Sequence, residues 1–396
     1  MMAKEVFIVD GARTAIGSFG GSLASKTPIE LATAVTKEAL KRAKIHAEEV
    51  EHVAFGHVIN TEPKDMYLSR VSAIHAGIPS TVSAMNVNRL CGSGAQAIVS
   101  VAQSLMLDEA SVGVAGGSES MSRSPYILNT VRWGQKMGDT KTQDMMLGAL
   151  NCPFGTGHMG VTAENVAEEK NISRLMQDEF ALESQRRASK AIIDNYFRDQ
   201  IIPIEIKKGK LSDIFQIDEH PKETSLEDLT ELPPVFKKEG TVTAGNSSGI
   251  NDGAAALVLA TEEGLRKNNA NPSAKILGYA HSGVRPEVMG IGPIPAVEKL
   301  CQKLKKNIDD FDVIESNEAF AAQACAVSLA LKLNNKKVNP NGGAIALGHP
   351  VGATGTILCI KLIHELKRTN SRFGLLTMCI GGGQGIAIGI ENLQLS

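Results

Sequence analysis

The stretch NVNRLCGSGAQAIVSVAQSL, residues 86–105, runs from a short strand-like segment into a helix pattern through Cys91, Gly92, Ser93 and Gly94. After it comes SVGVAGGSESMS (111–122), which reads as a buried strand. The same order returns near the other end, where GATGTILCIKLIHEL (352–366) precedes FGLLTMCIGGGQG (373–385). The segments upstream repeat as well. AKEVFIVDGARTAIG (3–17), a helix pattern and AEEVEHVAFGHV (47–58) parallel AKILGYAHSGVRP (274–286), a helix pattern and IDDFDVIESNEAF (308–320). Strand runs alternating with helix runs predict an α/β architecture, and the preserved order predicts two related halves. The expected helices include 29–43, 94–107, 176–196 and 355–366.

Between the halves the texture changes. SRSPYILNTVRWGQKMGDTKTQDMM (122–146) holds the single Trp, and DEHPKETSLEDLTELPPVF (218–236) is charged and proline-bearing. Long irregular insertions are more often functional than decorative. The expected division is therefore 1–119 with 248–270 as one half, 271–396 as the other, and 120–247 as an inserted loop domain. Taken alone, 219–231 also fits a solvated linker.

Bulk composition narrows the function classes. The 396 residues carry 41 basic and 43 acidic side chains, so nothing in the net charge of −2 favours nucleic acid or an anionic membrane. No apolar run approaches the ~20 residues of a membrane span. The first strand pattern begins at once, and no address signal is recognisable at either end, which points to the cytoplasm. Six cysteines in such a length are no disulfide framework, and neither they nor the nine histidines have zinc-ligand spacing.

Three constellations carry chemistry. Cys91 sits in a strand–turn–helix corner, where unpaired N–H groups and the helix dipole favour thiolate over thiol; the alternative is an inert core cysteine. The neighbouring small residues permit a sharp turn and close approach of a substrate. His349, in NPNGGAIALGHPVGATGTILC (339–359), is either a proton acceptor for a thiol or a hydrogen-bonding prop of its loop. Cys379 stands before Gly381, Gly382 and Gly383. GGGQG lacks the GxGxxG spacing of a nucleotide loop and no useful helix follows it, so covalent acyl chemistry is the better reading.

NRLCGSG (88–94), HMGVTAENVA (158–167), EGTVTAGNSSGINDGAAA (239–256), NEAFA (317–321), GGAIALGHPVGATG (342–355) and CIGGGQG (379–385) together resemble the thiolases, in that family's order and over nearly the whole chain. The resemblance is greatest to the short-chain, biosynthetic type, the acetyl-CoA acetyltransferases. It implies a layered α-β-α-β-α core with an inserted loop domain. The implied reaction is a reversible Claisen condensation of two acetyl-CoA molecules to acetoacetyl-CoA and CoA, with coenzyme A thioesters as substrates and no cofactor or metal. Mapped onto this chain, Cys91 is the nucleophile, His349 its base, and Cys379 the base for the second acetyl-CoA. His349 and a water on Asn317 form one oxyanion hole; the N–H groups of Cys91 and Gly381 form the other.

The resemblance also assigns a substrate tunnel. His158, Met159, Ala244, Ser248, Ala319 and Phe320 fall on pantetheine and acyl positions, and Met289 closes the acyl end. For Met159 and Met289, ordinary packing is an equal alternative. VRWGQKMGDTKTQDMM (131–146) resembles a tetramerisation loop, implying a homotetramer built as a dimer of dimers. One departure stands out. Where relatives place an Arg and a Ser near the CoA nucleotide, this chain has EHPKETSLEDL (219–229), leaving Lys207, Lys208, Lys210 or Lys222 as substitutes. Three rival readings remain: a degradative 3-ketoacyl-CoA thiolase of broader chain length, a non-catalytic acyl-CoA or lipid carrier, and a decarboxylating synthase. The last pairs one Cys with two His, unlike the set here. Two reactive thiols in one pocket also raise a reversible Cys91–Cys379 disulfide as a regulatory device.

Overall fold

The structure, a computed structural model, describes residues 4–208 and 211–395. The first half contains β1 (Phe7–Thr14), α1 (Pro28–Ala43), β2 (His52–Gly56), α2 (Leu68–His75), β3 (Ser83–Val87), α3 (Ser93–Met106), β4 (Val112–Ser120) and, beyond the insertion, β5 (Asn251–Ala260). Two longer helices of the insertion are α4 (Met159–Glu169) and α5 (Arg174–Ile193). The second half contains β6 (Ala274–Gly283), α6 (Pro293–Leu304), β7 (Val313–Ser316), α7 (Ala321–Ala330), α8 (Thr354–Arg368), β8 (Phe373–Ile380) and β9 (Gln384–Asn392).

Strand order runs β1-β5-β4-β2-β3 in the first half and β6-β9-β8-β7 in the second, where a parallel bridge from Ile314 to Val338 occupies the place of β3. Pairing senses match as well. β1–β5 and β5–β4 are antiparallel, as are β6–β9 and β9–β8, while β4–β2 and β8–β7 are parallel. This is the internal duplication expected from the sequence. The two sheets join through Phe7 opposite Lys275 and Ile8 opposite Ala274.

Local chemistry explains the elements. Thr27 and Glu30 form a capping box at the start of α1, Pro28 occupies its first turn, and Lys44 closes it in the left-handed region. β4 and β5 are buried along their whole length, and small residues fill both, because helices cover each face. α3 packs on β2 and β4, α8 on β7 and β8, and the two helices pack on each other between the sheets. α1 lies against β1 and β5, and α6 against β6 and β9, completing the α-β-α-β-α layering. The expected helix over 176–196 instead spans Arg174–Ile193. Ser173 caps the Met176 N–H, and Asn195 turns left-handed at φ 60°.

The charged insert segment is not a solvated linker throughout. Asp218 is buried against Arg13 in a bidentate pair, Nη1–Oδ1 2.8 Å and Nη2–Oδ2 2.9 Å, and also accepts the Ile16 N–H at 2.8 Å. Glu219 accepts the N–H groups of Ser18 and Ser22 at 2.7 and 3.0 Å. Both acids therefore anchor the insertion to the strand β1 and the loop after it.

Candidate active site

The turn between β3 and α3 is tightly cross-braced. The Asn88 Oδ1 accepts the Leu90 N–H at 3.0 Å, the Ser93 Oγ accepts the Arg89 N–H at 2.8 Å and donates to the Leu90 carbonyl at 2.7 Å. Leu90 is held at φ 45°, an uncommon conformation for a branched residue, and it presents Cys91 at the corner. The N–H groups of Gly381 and of Cys91 itself reach the Cys91 sulfur and favour its thiolate, but burial outweighs them and Glu119 adds to it, so the thiol is pushed above its ordinary value. The expected thiolate is thus corrected. A helix start supplies too little to offset removing a thiolate from water.

His349 is buried, and its environment sets its tautomer. Its Nδ1 lies 2.6 Å from the Thr354 Oγ1, whose own proton goes to the Pro350 carbonyl at 2.8 Å. Nδ1–H is therefore the donor, and Nε2 keeps its lone pair. The Asn317 Nδ2 sits 3.4 Å from that Nε2 and donates toward it, while the Asn317 Oδ1 has no partner within the protein. Burial holds the His349 pKa down to about 4, so the ring is a neutral base at physiological pH.

Cys379 is the last residue but one of β8, opposite Gly385 of β9, and Gly382 and Gly383 make the connecting turn at φ 81° and 87°. A Cβ at Gly383 would lie 2.3 Å from the Val284 carbonyl, so two of the three glycines serve the backbone. Burial pushes the Cys379 thiol upward, and a negative charge on Cys91 would push it further. Glycines of the other two motifs also serve packing. A Cβ at Gly94 would come 2.8 Å from the Thr356 nitrogen, and one at Gly355 2.2 Å from the Ala95 nitrogen, because α3 and α8 begin against each other. The expected close approach of a substrate at Gly94 is replaced by close approach of a helix.

A cavity of about 60 Å³ joins these elements. Cys91, His349 and Gly381 line it, together with Met159, Ser248, Met289, Ala319 and Phe320 of the expected tunnel. Cys379 packs in one buried cluster with Met159, Met289, Ala319 and Phe320. Two residues of the expected tunnel do not line the cavity. His158 caps α4, accepting the Gly160 N–H at 3.0 Å, and stacks on Phe236 at 4.7 Å. Ala244 is exposed on the loop before Ser248. Val58, Leu90, Ala149, Leu150 and Val351 complete the wall and escaped the sequence reading, since lone apolar residues carry no chemical signal. Thr354 was missed too, although it lies within the His349 motif.

The remaining cysteines are free, as are Cys91 and Cys379, and burial pushes Cys325 and Cys359 up to about 12. Of the lysines considered for CoA, Lys207 is exposed on a β-ribbon, Lys222 donates its N–H to Gln185 at 3.0 Å, and Lys210 lies outside the described residues. Among the described residues no group of His, Cys, Asp and Glu could hold a metal ion, and no helix is long and apolar enough to cross a membrane.

Known proteins match this arrangement throughout. The family description "Thiolase, N-terminal domain" fits residues 6–263, and "Thiolase, C-terminal domain" fits 270–392. The chain is 54% identical to the beta-ketothiolase BktB of Cupriavidus necator, over 99% of this chain and 100% of that one. The crystal structure of the Bacillus anthracis acetyl-CoA acetyltransferase superposes with a TM-score of 0.97 at 45% identity, covering 99% and 100% of the two chains. Human mitochondrial 3-ketoacyl-CoA thiolase in complex with CoA gives 0.95 at 44% identity, covering 99% of each. With both halves of the duplicated fold matched from end to end, the chain belongs to the thiolase family and is an acyltransferase.

Proposed function

We propose that the protein is a short-chain thiolase, an acetyl-CoA C-acetyltransferase acting through an acetyl-Cys91 intermediate. The observation that carries this reading is the single small cavity on which Cys91, a neutral His349 and the Gly381 N–H converge, with Cys379 in the wall behind. Its narrow apolar wall, with Met159, Met289, Ala319 and Phe320, suits an acetyl-sized group.

The geometry orders the steps. Cys91 is a thiol at rest, so attack on the first thioester carbonyl is coupled to proton transfer to His349 Nε2. The same proton then passes to the departing CoA sulfur. The N–H groups of Cys91 and Gly381 face the oxyanion formed at that carbonyl, each such donor being worth ~3–4 kcal/mol. Once CoA has carried the first proton away, His349 is neutral again and takes the proton of the Cys379 thiol, and the resulting thiolate takes the methyl proton of the second acetyl-CoA. The resulting enolate, held near His349 and Asn317, attacks the acetyl-Cys91 carbonyl; a C–C bond forms, the C–S bond to Cys91 breaks, and the released Cys91 thiolate recovers its proton from His349.

Coenzyme A thioesters are substrates in this scheme, which requires acyl transfer, proton transfer and C–C bond formation. The human relative's complex with CoA supports the same ligand here. The exposed tip carrying Trp133 and Met137, above a ribbon of Tyr126–Ile127 and Gln143–Asp144, suits the proposed homotetramer. A cytoplasmic setting accords with the bacterial relatives.

Mass spectrometry after incubation with acetyl-CoA tests the nucleophile. Cys91→Ala should carry no acetyl adduct, whereas Cys379→Ala should acylate yet form no acetoacetyl-CoA. An adduct that survives in Cys91→Ala would reject the assignment. A degradative 3-ketoacyl-CoA thiolase is the second reading, favoured by the mitochondrial relatives. Equal turnover of acetoacetyl-CoA and 3-ketohexadecanoyl-CoA would select it.

A further inference from the structure

Glu119, in β4, is fully buried and holds together pieces of both halves. Its Oε2 accepts the Val58 N–H at 3.1 Å and the Gly352 N–H at 2.9 Å, and its Oε1 accepts the Ile59 N–H at 3.1 Å. Val58 and Ile59 belong to the turn after β2. Gly352 follows His349 by three residues, just before α8. Val58 and Val351 both line the Cys91 cavity, so one carboxylate ties together two walls contributed by different halves.

The remaining neighbour is His57. Its Nδ1 donates to the Ser118 carbonyl at 2.9 Å and lies 3.4 Å from Glu119 Oε1, and its Nε2 faces Asp65 Oδ2 at 3.9 Å. These partners of the Glu119 oxygens are donors and favour the carboxylate, against a burial that raises its pKa above the ordinary carboxylate value. Three backbone donors and an imidazole are a costly arrangement to bury unless it holds something in place.

We propose that Glu119 is a positioning residue for acyl transfer, its carboxylate clamping the His349-bearing turn onto the β2 turn and so fixing the cavity where Cys91 reacts. The proposal rests on the reading of Cys91 as the nucleophile. It has an electrostatic corollary, because the clamp is charged. Among the described residues, the titratable groups facing Glu119 are His57 and Cys91, with Asp65 beyond His57. The negative charge adds to burial in keeping Cys91 a thiol at rest.

Two variants separate clamp from charge. In Glu119→Gln both oxygen positions still face N–H donors, so no amide orientation restores all three bonds, and the charge is lost. In Gly352→Ala the new Cβ would stand 2.5 Å from Glu119 Oε2, which displaces the carboxylate but leaves it ionised. Each variant is measured for folded fraction, kcat and KM in acetoacetyl-CoA thiolysis, and the pH dependence of Cys91 alkylation by iodoacetamide, read on the Cys91 peptide.

Glu119→Gln should lower kcat about tenfold to a hundredfold per folded molecule, with KM little changed. It should also move the alkylation midpoint down by about one pH unit. Gly352→Ala should lower kcat similarly while the midpoint stays. Wild-type kcat in either folded variant overturns the clamp, and so do losses that merely track the unfolded fraction. If Glu119→Gln does not fold, Glu119→Asp, which keeps the charge but shortens the reach, takes its place and should lose kcat without moving the midpoint. An acetyl adduct on wild-type Cys91 together with unaffected variants refutes the clamp alone; no adduct on wild-type Cys91 refutes the nucleophile reading instead.

Discussion

At the residue scale, the site is built from groups held in their uncharged forms. Burial raises the Cys91 thiol and lowers the His349 imidazole to about 4, so both ends of the proton transfer are neutral before substrate arrives. The sign of the pH dependence follows. A histidine with its pKa depressed stays a competent base as pH falls through 6.5, so acylation of Cys91 should show no inflection near the ordinary imidazole value. Between about pH 6 and pH 9 the rate should be flat, because the thiol and the neutral imidazole are both in their reacting forms throughout. A stopped-flow profile of CoA release that bends at 6.5 would contradict this. The tautomer makes a second prediction. Thr354→Val removes the acceptor of His349 Nδ1–H and should lower kcat about tenfold or more, while Thr354→Ser, which keeps the hydroxyl, should restore it. Equal activity of the Val and Ser variants would show that the hydroxyl does not orient the ring. Cys91, His349 and Cys379 were legible in the chain because each stands beside glycines at the end of an element. Thr354 and Glu119 were not, since a threonine in a helix start and a glutamate in a strand have many ordinary uses.

At the element scale, the junction of α3 with α8 carries the architecture. Each helix starts with small residues because each start is the wall of the other. Gly355→Ala would force a Cβ to 2.2 Å from the Ala95 nitrogen, and backbone cannot yield as a flexible side chain does. The expected loss is about 1–3 kcal/mol in chemical denaturation, with activity falling further because Cys91 and Thr354 flank the contact. Unchanged stability would mean that the helices separate without cost. Periodicity located these helices to within two residues of their ends. It did not show that the glycines of two distant motifs belong to one contact, since sequence distance hides spatial adjacency.

At the scale of the whole molecule, the insertion is fastened to the core by buried charge. Asp218 pairs with Arg13, which Gln200 also binds through Nε at 3.1 Å. Asp218→Ala leaves Arg13 buried and unpaired and should cost about 3–5 kcal/mol in urea unfolding. A loss below that of an exposed ion pair would show that the guanidinium finds another partner. From sequence, the segment 218–236 looked like a charged stretch whose purpose was open. An acid facing solvent and an acid facing a buried arginine two hundred residues away are written identically.

By itself, the sequence determined the duplicated α/β plan and the family, and it singled out the three candidate reactive side chains, because these rest on local periodicity and on motifs whose order is preserved. Only the tertiary structure decided the protonation states, the cavity wall and the clamp at Glu119. Those depend on burial and on which hydrogen-bond donors meet across the two halves, and no pattern along the chain records either.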